Sequence, residues 1–251
     1  MSETIVVADA HLDGLNKELE LFLSFLSSLQ EKKIQRLFIL GDLFTIWLGI
    51  PKMLLPHQRT VLEAFQSLRD NRTLVKYVEG NRDYFLSPLY LNAPFHEIIP
   101  ESIQEIIGEK QIHFSHGDLV NVHDRQYRLW RTFSRNRVFF WAFQCLPRSF
   151  AIRLAHYLEQ KFRRTNLKNK KAFPLEIYKT YAENLWKAGN EIIVLGHFHE
   201  KRHHEFSFDN RKKHLYVLPA WKDTYEYLQI SEQGTISFCQ FTPNTHQSFH
   251  D

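Results

Sequence analysis

The apolar positions of this chain change their period along its length, and the period predicts the elements. Residues 4–8 form a short β-branched run, the mark of a strand buried on both faces, and it ends at Asp9. From Asn16 to Lys33, apolar residues at Leu19, Phe22, Leu23, Phe25, Leu26 and Leu29 keep a helical spacing with a mostly polar opposite face. A second buried run, Arg36 to Leu40, leads into Gly41 and Asp42. Residues 57–70 return to helical spacing, and Thr73 to Val78 supplies a third strand that ends at Glu79, Gly80 and Asn81. Gln111 to Phe114 and Glu191 to Leu195 are further strands, closed by Ser115-His116 and Gly196-His197. This alternation predicts an α/β fold with a mainly parallel sheet, in which functional residues gather beyond the carboxyl ends of the strands.

The last part of the chain has a different rhythm. His204 to Phe208, His214 to Leu218, Tyr225 to Ile230 and Thr235 to Phe241 read as short strands joined by Asp-Asn and Gln-Gly turns, which predicts an antiparallel second sheet. Between His116 and Glu191 the periodicity is helical, rich in aromatics and arginine, and broken near Pro147 and Pro174, as in an inserted cap.

Composition narrows the class without naming a function. The 251 residues are 43% hydrophobic and 24% charged, an ordinary globular balance. The start lacks the basic and apolar regions of an export signal, and the longest strongly apolar stretch, Val138 to Leu146, is interrupted by Gln144 and too short to span a membrane. Cys145 and Cys239 are far apart and outside any metal-binding spacing, so a reducing cytoplasm is the expected location. The net charge of +4 hides an uneven distribution, because between Arg125 and Lys171 many Lys and Arg face Glu159 alone. That block calls for an anionic partner.

Singly, the polar strand ends are ambiguous. Asp9-Ala-His11 can be a helix cap beside a surface histidine, and Gly41-Asp42 and Gly80-Asn81 can be tight turns. Gly196-His197-Phe198-His199 places two imidazoles on the same side of an extended chain. What raises these above accident is order, because they and His116-Gly-Asp118 each follow a predicted strand. The set resembles the calcineurin-like metallophosphoesterases over roughly residues 4–230. That resemblance implies a four-layer sandwich of two β-sheets flanked by helices, with residues 1–118 and 190–251 as the core and 119–189 as an inserted helical cap. It implies one metal on Asp9, His11, Asp42 and His199, and a second on Asp42, Asn81, His116 and His197, with Asp42 bridging. Asp83 and Asp118 would orient ligands from behind. Oxygen and imidazole donors without thiolate suit Mn²⁺, Fe or Zn²⁺, and Mn²⁺ is the expected ion.

Arg82 narrows the substrate. Many members of that superfamily carry a histidine there, proposed to protonate an alkoxide leaving group, whereas arginine remains a charged fork suited to phosphate oxygens. A leaving phosphate monoester needs little protonation, so pyrophosphate cleavage fits. Gly80-Asn81-Arg82-Asp83 with Tyr84 and Phe85, together with Gly41-Asp42-Leu43-Phe44 and Trp47, is similar to the bacterial UDP-2,3-diacylglucosamine pyrophosphatases of lipid A synthesis. The resemblance implies hydrolysis to UMP and 2,3-diacylglucosamine 1-phosphate, with Asp42, Asn81, Arg82 and His116 catalytic. Asn81, Arg82, Asp124, Tyr127, Arg164, Lys168, Lys171 and His197 would contact substrate. The alternatives are a related enzyme acting on another nucleotide conjugate or phosphodiester, and a metal-binding scaffold. Ala10 and Phe198 depart from that family's usual leucine and threonine, and residues 45–52 lack its acidic side chains. Cap aromatics from Trp130 to Ile152 could line an acyl pocket, rest on a bilayer or form ordinary core. The expected partners are a nucleotide-linked glycolipid and the inner-leaflet membrane surface, with no partner protein and with nucleic acid ranked behind both.

Overall fold

The computed structural model describes residues 3–14, 16–169 and 175–243, with side chains described except at residues 16 and 159–169. In chain order the elements begin β1 (Thr4–Val7), α1 (Asn16–Lys32), β2 (Arg36–Leu40), β3 (Trp47–Leu48), α2 (Pro56–Asp70), β4 (Leu74–Val78) and β5 (Asp83–Tyr84). There follow α3 (Ser87–Tyr90), β6 (Glu97–Ile99), β7 (Ser102–Ile107), β8 (Lys110–Ser115), α4 (Arg125–Ser134), α5 (Arg137–Cys145), α6 (Arg148–Asn169) and α7 (Leu175–Lys187). The chain continues through β9 (Ile192–Leu195), β10 (Arg202–Phe208), β11 (Arg211–Val217), α8 (Trp221–Thr224), β12 (Glu226–Ile230) and β13 (Ile236–Gln240).

The alternation of side chains along a strand explains the layers. On β1 and β2, Ile5, Val7, Leu37 and Ile39 face α1 and α2, where they meet Phe22, Phe25, Val61 and Phe65. Their neighbours Val6, Ala8, Phe38 and Leu40 face the other way, onto Ile112, Phe114, Ile192 and Val194 of a second sheet. Phe38 stacks on Phe114 with ring centres 4.6 Å apart, joining the sheets at their middle. Burial on both faces is why these strands read as unbroken apolar runs.

The first sheet runs β13-β12-β1-β2-β4-β6 and the second β10-β11-β9-β8-β7. In the first, β1, β2, β4 and β6 are parallel; in the second, β11, β9 and β8 are parallel. The C-terminal strands do not make one antiparallel sheet, as their turns suggested. β10 and β11 extend the second sheet, whereas β12 returns to pair antiparallel with β1. The crossover has a physical anchor in Trp221, whose amide donates to the Ala8 carbonyl at 3.1 Å and whose indole meets Phe22 edge-on at 4.8 Å.

The stretch expected as a single insert is divided. Tyr178, Ala182 and Trp186 of α7 cover Ile193, Leu195, Leu215 and Val217, so α7 is the outer layer of the second sheet. α4 to α6 lie elsewhere, with Phe143, Ala151 and Ala155 joining Leu48, Ile50, Met53 and Tyr84 in a separate core. No helix among the described residues is long and apolar enough to cross a membrane.

Candidate metal centre

The five polar motifs occupy the loops just beyond β1, β2, β4, β8 and β9. Asp9, His11, Asp42, His197 and His199 all take left-handed backbone conformations, with φ of 54°, 45°, 52°, 71° and 56°. Asp and His tolerate that region better than most side chains, and its clustering at one place is the pattern of a functional site held by its surroundings. Glycine lets the loops meet. A Cβ on Gly41, whose φ is +74°, would lie 2.6 Å from the Gly80 Cα and 2.7 Å from His116 Nδ1.

The left-handed turns alter the expected placing of the two histidines of the last motif. They do not share one side of an extended strand. His199 Nε2 lies 3.1 Å from His11 Nε2, whereas His197 Nδ1 lies 3.2 Å from His116 Nε2. Asp9 sits between them, its Oδ1 3.6 Å from His11 Nε2 and 3.3 Å from His199 Nε2, while Oδ2 accepts the His197 amide at 2.7 Å. Asp42 Oδ1 is 3.6 Å from His116 Nε2 and accepts the Arg82 amide at 3.0 Å, and Oδ2 faces Arg82 Nε at 3.3 Å. Asn81 Oδ1 completes the group, 3.0 Å from His116 Nε2. Two groups of donor atoms lie close enough together to hold an ion, Asp9-His11-His199 and Asp9-Asp42-His116.

Charge in this buried cluster is strongly redistributed. Burial alone would raise Asp9, but the His199 hydrogen bond and the charges of His116, His199 and His11 hold it far below the usual carboxylate range. Burial raises Asp42 despite His116 and Arg82. Burial opposes charge on His116, yet Asp42, Asp9 and Asp118 push it up to about 9. His11, by contrast, is driven well below the ordinary histidine value by burial.

The arrangement fits divalent cations on its own geometry. His116 Nδ1 donates to the Leu40 carbonyl at 2.8 Å, which turns Nε2 toward Asn81 Oδ1 and Asp42. Asp9 Oδ1 is buried and faces the imidazoles of His11 and His199. Converging imidazole, carboxylate and amide oxygen make the donor set of a borderline or hard divalent ion. The two expected supporting carboxylates have hydrogen-bond partners of their own. Asp83 accepts from Tyr77, Leu43 and the Gly80 amide, and Asp118 takes the Tyr127 hydroxyl, while the Leu40 carbonyl orients His116 through Nδ1.

A cavity of about 630 Å³ opens over the cluster, with His11, Asp42, Asn81, Arg82, His197 and His199 in its wall and Asp9 and His116 fully buried beneath. Asp124 and Tyr127 are not in that wall. The Asp124 carboxylate caps α4 by accepting the Tyr127 amide at 2.9 Å. Arg164 and Lys168 lie on α6 with undescribed side chains, and Lys171 lies outside the described residues. The wall also contains residues that the motifs did not flag, among them His57, Gln58, His156 and Lys222. His57 and Gln58 stand at the start of a helix, where polar residues are routine, and Lys222 follows no recognisable motif, so folding alone brings them in.

Known proteins align along most of the chain. The UDP-2,3-diacylglucosamine hydrolase of Edwardsiella ictaluri is 30% identical over 234 residues, 92% of this chain and 89% of that protein. This chain belongs to the UDP-2,3-diacylglucosamine hydrolase family. The hydrolase of the same name from Pseudomonas entomophila is 28% identical over 235 residues, 92% of this chain and 95% of that protein. No family model matches. Among solved structures, GAP50, the anchor in the inner membrane complex of Plasmodium, superposes with a TM-score of 0.51 at 10% identity over 99% of this chain and 87% of that one, a likeness of fold alone. The fold is an α/β sandwich of two sheets, and the chain is a hydrolase.

Proposed function

We propose that this chain hydrolyses the pyrophosphate bond of UDP-2,3-diacylglucosamine, giving UMP and 2,3-diacylglucosamine 1-phosphate, a step of lipid A synthesis. The observation that carries the reading is the convergence of four imidazoles, two carboxylates and one amide oxygen at adjoining strand ends of a chain in this family. Asp9, His11, Asp42 and His199 would hold one cation, and Asp42, Asn81, His116 and His197 the other, with Mn²⁺ as the proposed ion. Bound there, such ions make water nucleophilic near neutral pH and offset charge on phosphoryl oxygens.

The remaining work falls to side chains. Arg82, at the cavity wall beside Asp42, supplies a permanently charged fork for the phosphate under attack and donates no proton to the leaving group. A sugar 1-phosphate departs without one. His156 brings α6 to the cavity, and Arg164, Lys168 and Lys171, later in the chain, are the proposed contacts for the substrate's phosphates and sugar. Asp124 and Tyr127 would then act by seating α4.

The faces of α4 to α6 support a place for the acyl chains at a membrane. Phe143 is core and Phe139 and Phe140 are half-buried, but Leu129, Val138 and Trp141 are 72%, 71% and 66% exposed. Exposed Arg137, Arg148 and Arg153 lie among them, a pairing suited to an anionic bilayer surface and to peripheral attachment on the cytoplasmic side of the inner membrane. Mass spectrometry of products from purified, Mn²⁺-loaded protein tests the reading. UMP with the diacylated sugar phosphate is expected, and turnover of soluble nucleotide conjugates alone would overturn the lipid assignment. A chain that binds no divalent ion would be a scaffold.

A further inference from the structure

The basic block of the sequence is not a single solvent-facing surface. Tyr127, Arg131 and Arg135 stand four residues apart and make one stripe along α4 and its C-terminal cap. The Tyr127 hydroxyl donates to Asp118, and Arg131 Nε approaches the same carboxylate at 3.4 Å. Arg131 also reaches Glu101 Oε1 and the Pro100 carbonyl, both at 3.0 Å. Arg135 donates to the Gly80 carbonyl at 2.5 Å and to the Pro100 carbonyl at 3.2 Å, faces Glu79 Oε2 at 3.6 Å, and lies 5.4 Å above the Tyr84 ring. One face of one helix is therefore fastened to the loops that carry His116 and Asn81.

Gly80 is the point of highest leverage. Its carbonyl belongs to the peptide bond that leads into Asn81, and its amide donates to Asp83, so the peptides on either side of this residue are held by partners from different directions. Its own position cannot be secured by a side chain, since a Cβ there would fall 2.4 Å from Asp42 Oδ1. Glu79, next door, is pinned by the Leu86 amide at 3.0 Å and has Arg135 as its counter-charge.

We propose that Arg135 is a positioning residue for hydrolysis: by holding the Gly80 carbonyl it fixes Asn81 and Arg82 against Asp42 and His116, and ties that alignment to the seating of α4. This rests on the reading of the cluster as the metal and phosphate site. Arg135 touches neither metal nor substrate, and acts through the loop.

The test uses Arg135→Met and Arg135→Lys in the full chain. The Lys variant keeps a charge facing Glu79 but cannot reach Gly80 and Pro100 together. For the Met variant the expected result is a kcat ~10 to 100-fold lower with KM changed less than about threefold, and the weaker of two Mn²⁺ equivalents bound ~10-fold less tightly while the tighter is unaltered. The Lys variant should fall between Met and the unaltered enzyme on both readouts, with melting temperature close to that of the unaltered chain. Unchanged kcat and metal affinities in the Met variant would overturn the proposal, as would parallel loss of both metals and of thermal stability, which marks a general structural role. The metal titration does not depend on the lipid. Absence of turnover by the unaltered enzyme would count against the assigned substrate while the titration still decides the role of Arg135.

Discussion

The loops at the strand ends and the outer face of α4 to α6 both bring charged groups together with rings, to opposite effect. At the strand ends the polar groups are held close by their surroundings: Asp9 and His116 are fully buried, and five ligand candidates are held in left-handed conformations. On the helices, Leu129, Val138 and Trp141 project into solvent among exposed arginines. The first arrangement is what preorganised electrostatics require, because donors must be in place before charge develops. The second suits a soft, heterogeneous surface such as lipid, where area and charge matter more than the placing of any atom. Between them run Tyr127, Arg131 and Arg135, which show that a basic helix can serve both sides at once.

The largest effect that would break this contrast belongs to the strand ends. Asp42→Ala or His116→Ala should reduce hydrolysis by at least ~100-fold, beyond the range typical of residues that only support ligands, with circular dichroism and melting behaviour kept. Retained activity in both would leave the buried cluster without a catalytic purpose. Arg82→His should weaken pyrophosphate cleavage by roughly 10 to 100-fold, as loss of a preorganised cationic contact would, and shift relative activity toward activated monoesters in a comparison of kcat/KM values.

A third experiment separates the sandwich from the site. His113 is buried beside Tyr181, 3.2 Å from its hydroxyl, and burial lowers its pKa to about 4. Between about 6.5 and 4 the unfolded chain binds a proton that the folded chain refuses, so stability is complete above about 6.5 and falls as the pH drops through that window. The loss should approach about 3 kcal/mol and His113→Gln should flatten it, as read from denaturant midpoints across the window. An unflattened profile would place the acid sensitivity elsewhere, in the carboxylate cluster. The smallest effect is expected on the outer helices: Trp141→Ser should reduce flotation with anionic vesicles yet change stability by no more than about 0.5 kcal/mol. Loss of stability without loss of flotation would make that face ordinary core.

Much of this molecule is legible in its sequence because burial on two faces writes itself as unbroken apolar runs. β1, β2, β4, β8 and β9, with the polar residue after each, can be read from Ile5, Phe38, Tyr77, Phe114 and Val194 and their neighbours. What could not be read depends on distance in space. Short β3 and β5 have too few residues for a period, and β12 leaves its neighbours because Trp221 docks against Phe22 and Ala8, a long-range contact. The side taken by His197 and His199 follows from left-handed backbone angles that no spacing encodes. The basic block concealed two classes of arginine. The interval of four from Tyr127 to Arg135 was present in the sequence, but only the proximity of Asp118 and Gly80 gives it meaning.

In the proposed reaction, water attacks the uridine-side phosphate at the strand-end cluster and the sugar 1-phosphate leaves. Hydrolysis of UDP-2,3-diacylglucosamine in ¹⁸O-labelled water with Mn²⁺ tests it most directly, with both products weighed by mass spectrometry. A single ¹⁸O in UMP and none in the diacylated sugar phosphate is the expected result. Label in the sugar phosphate, or intact substrate beside a fully metal-loaded chain, would contradict it.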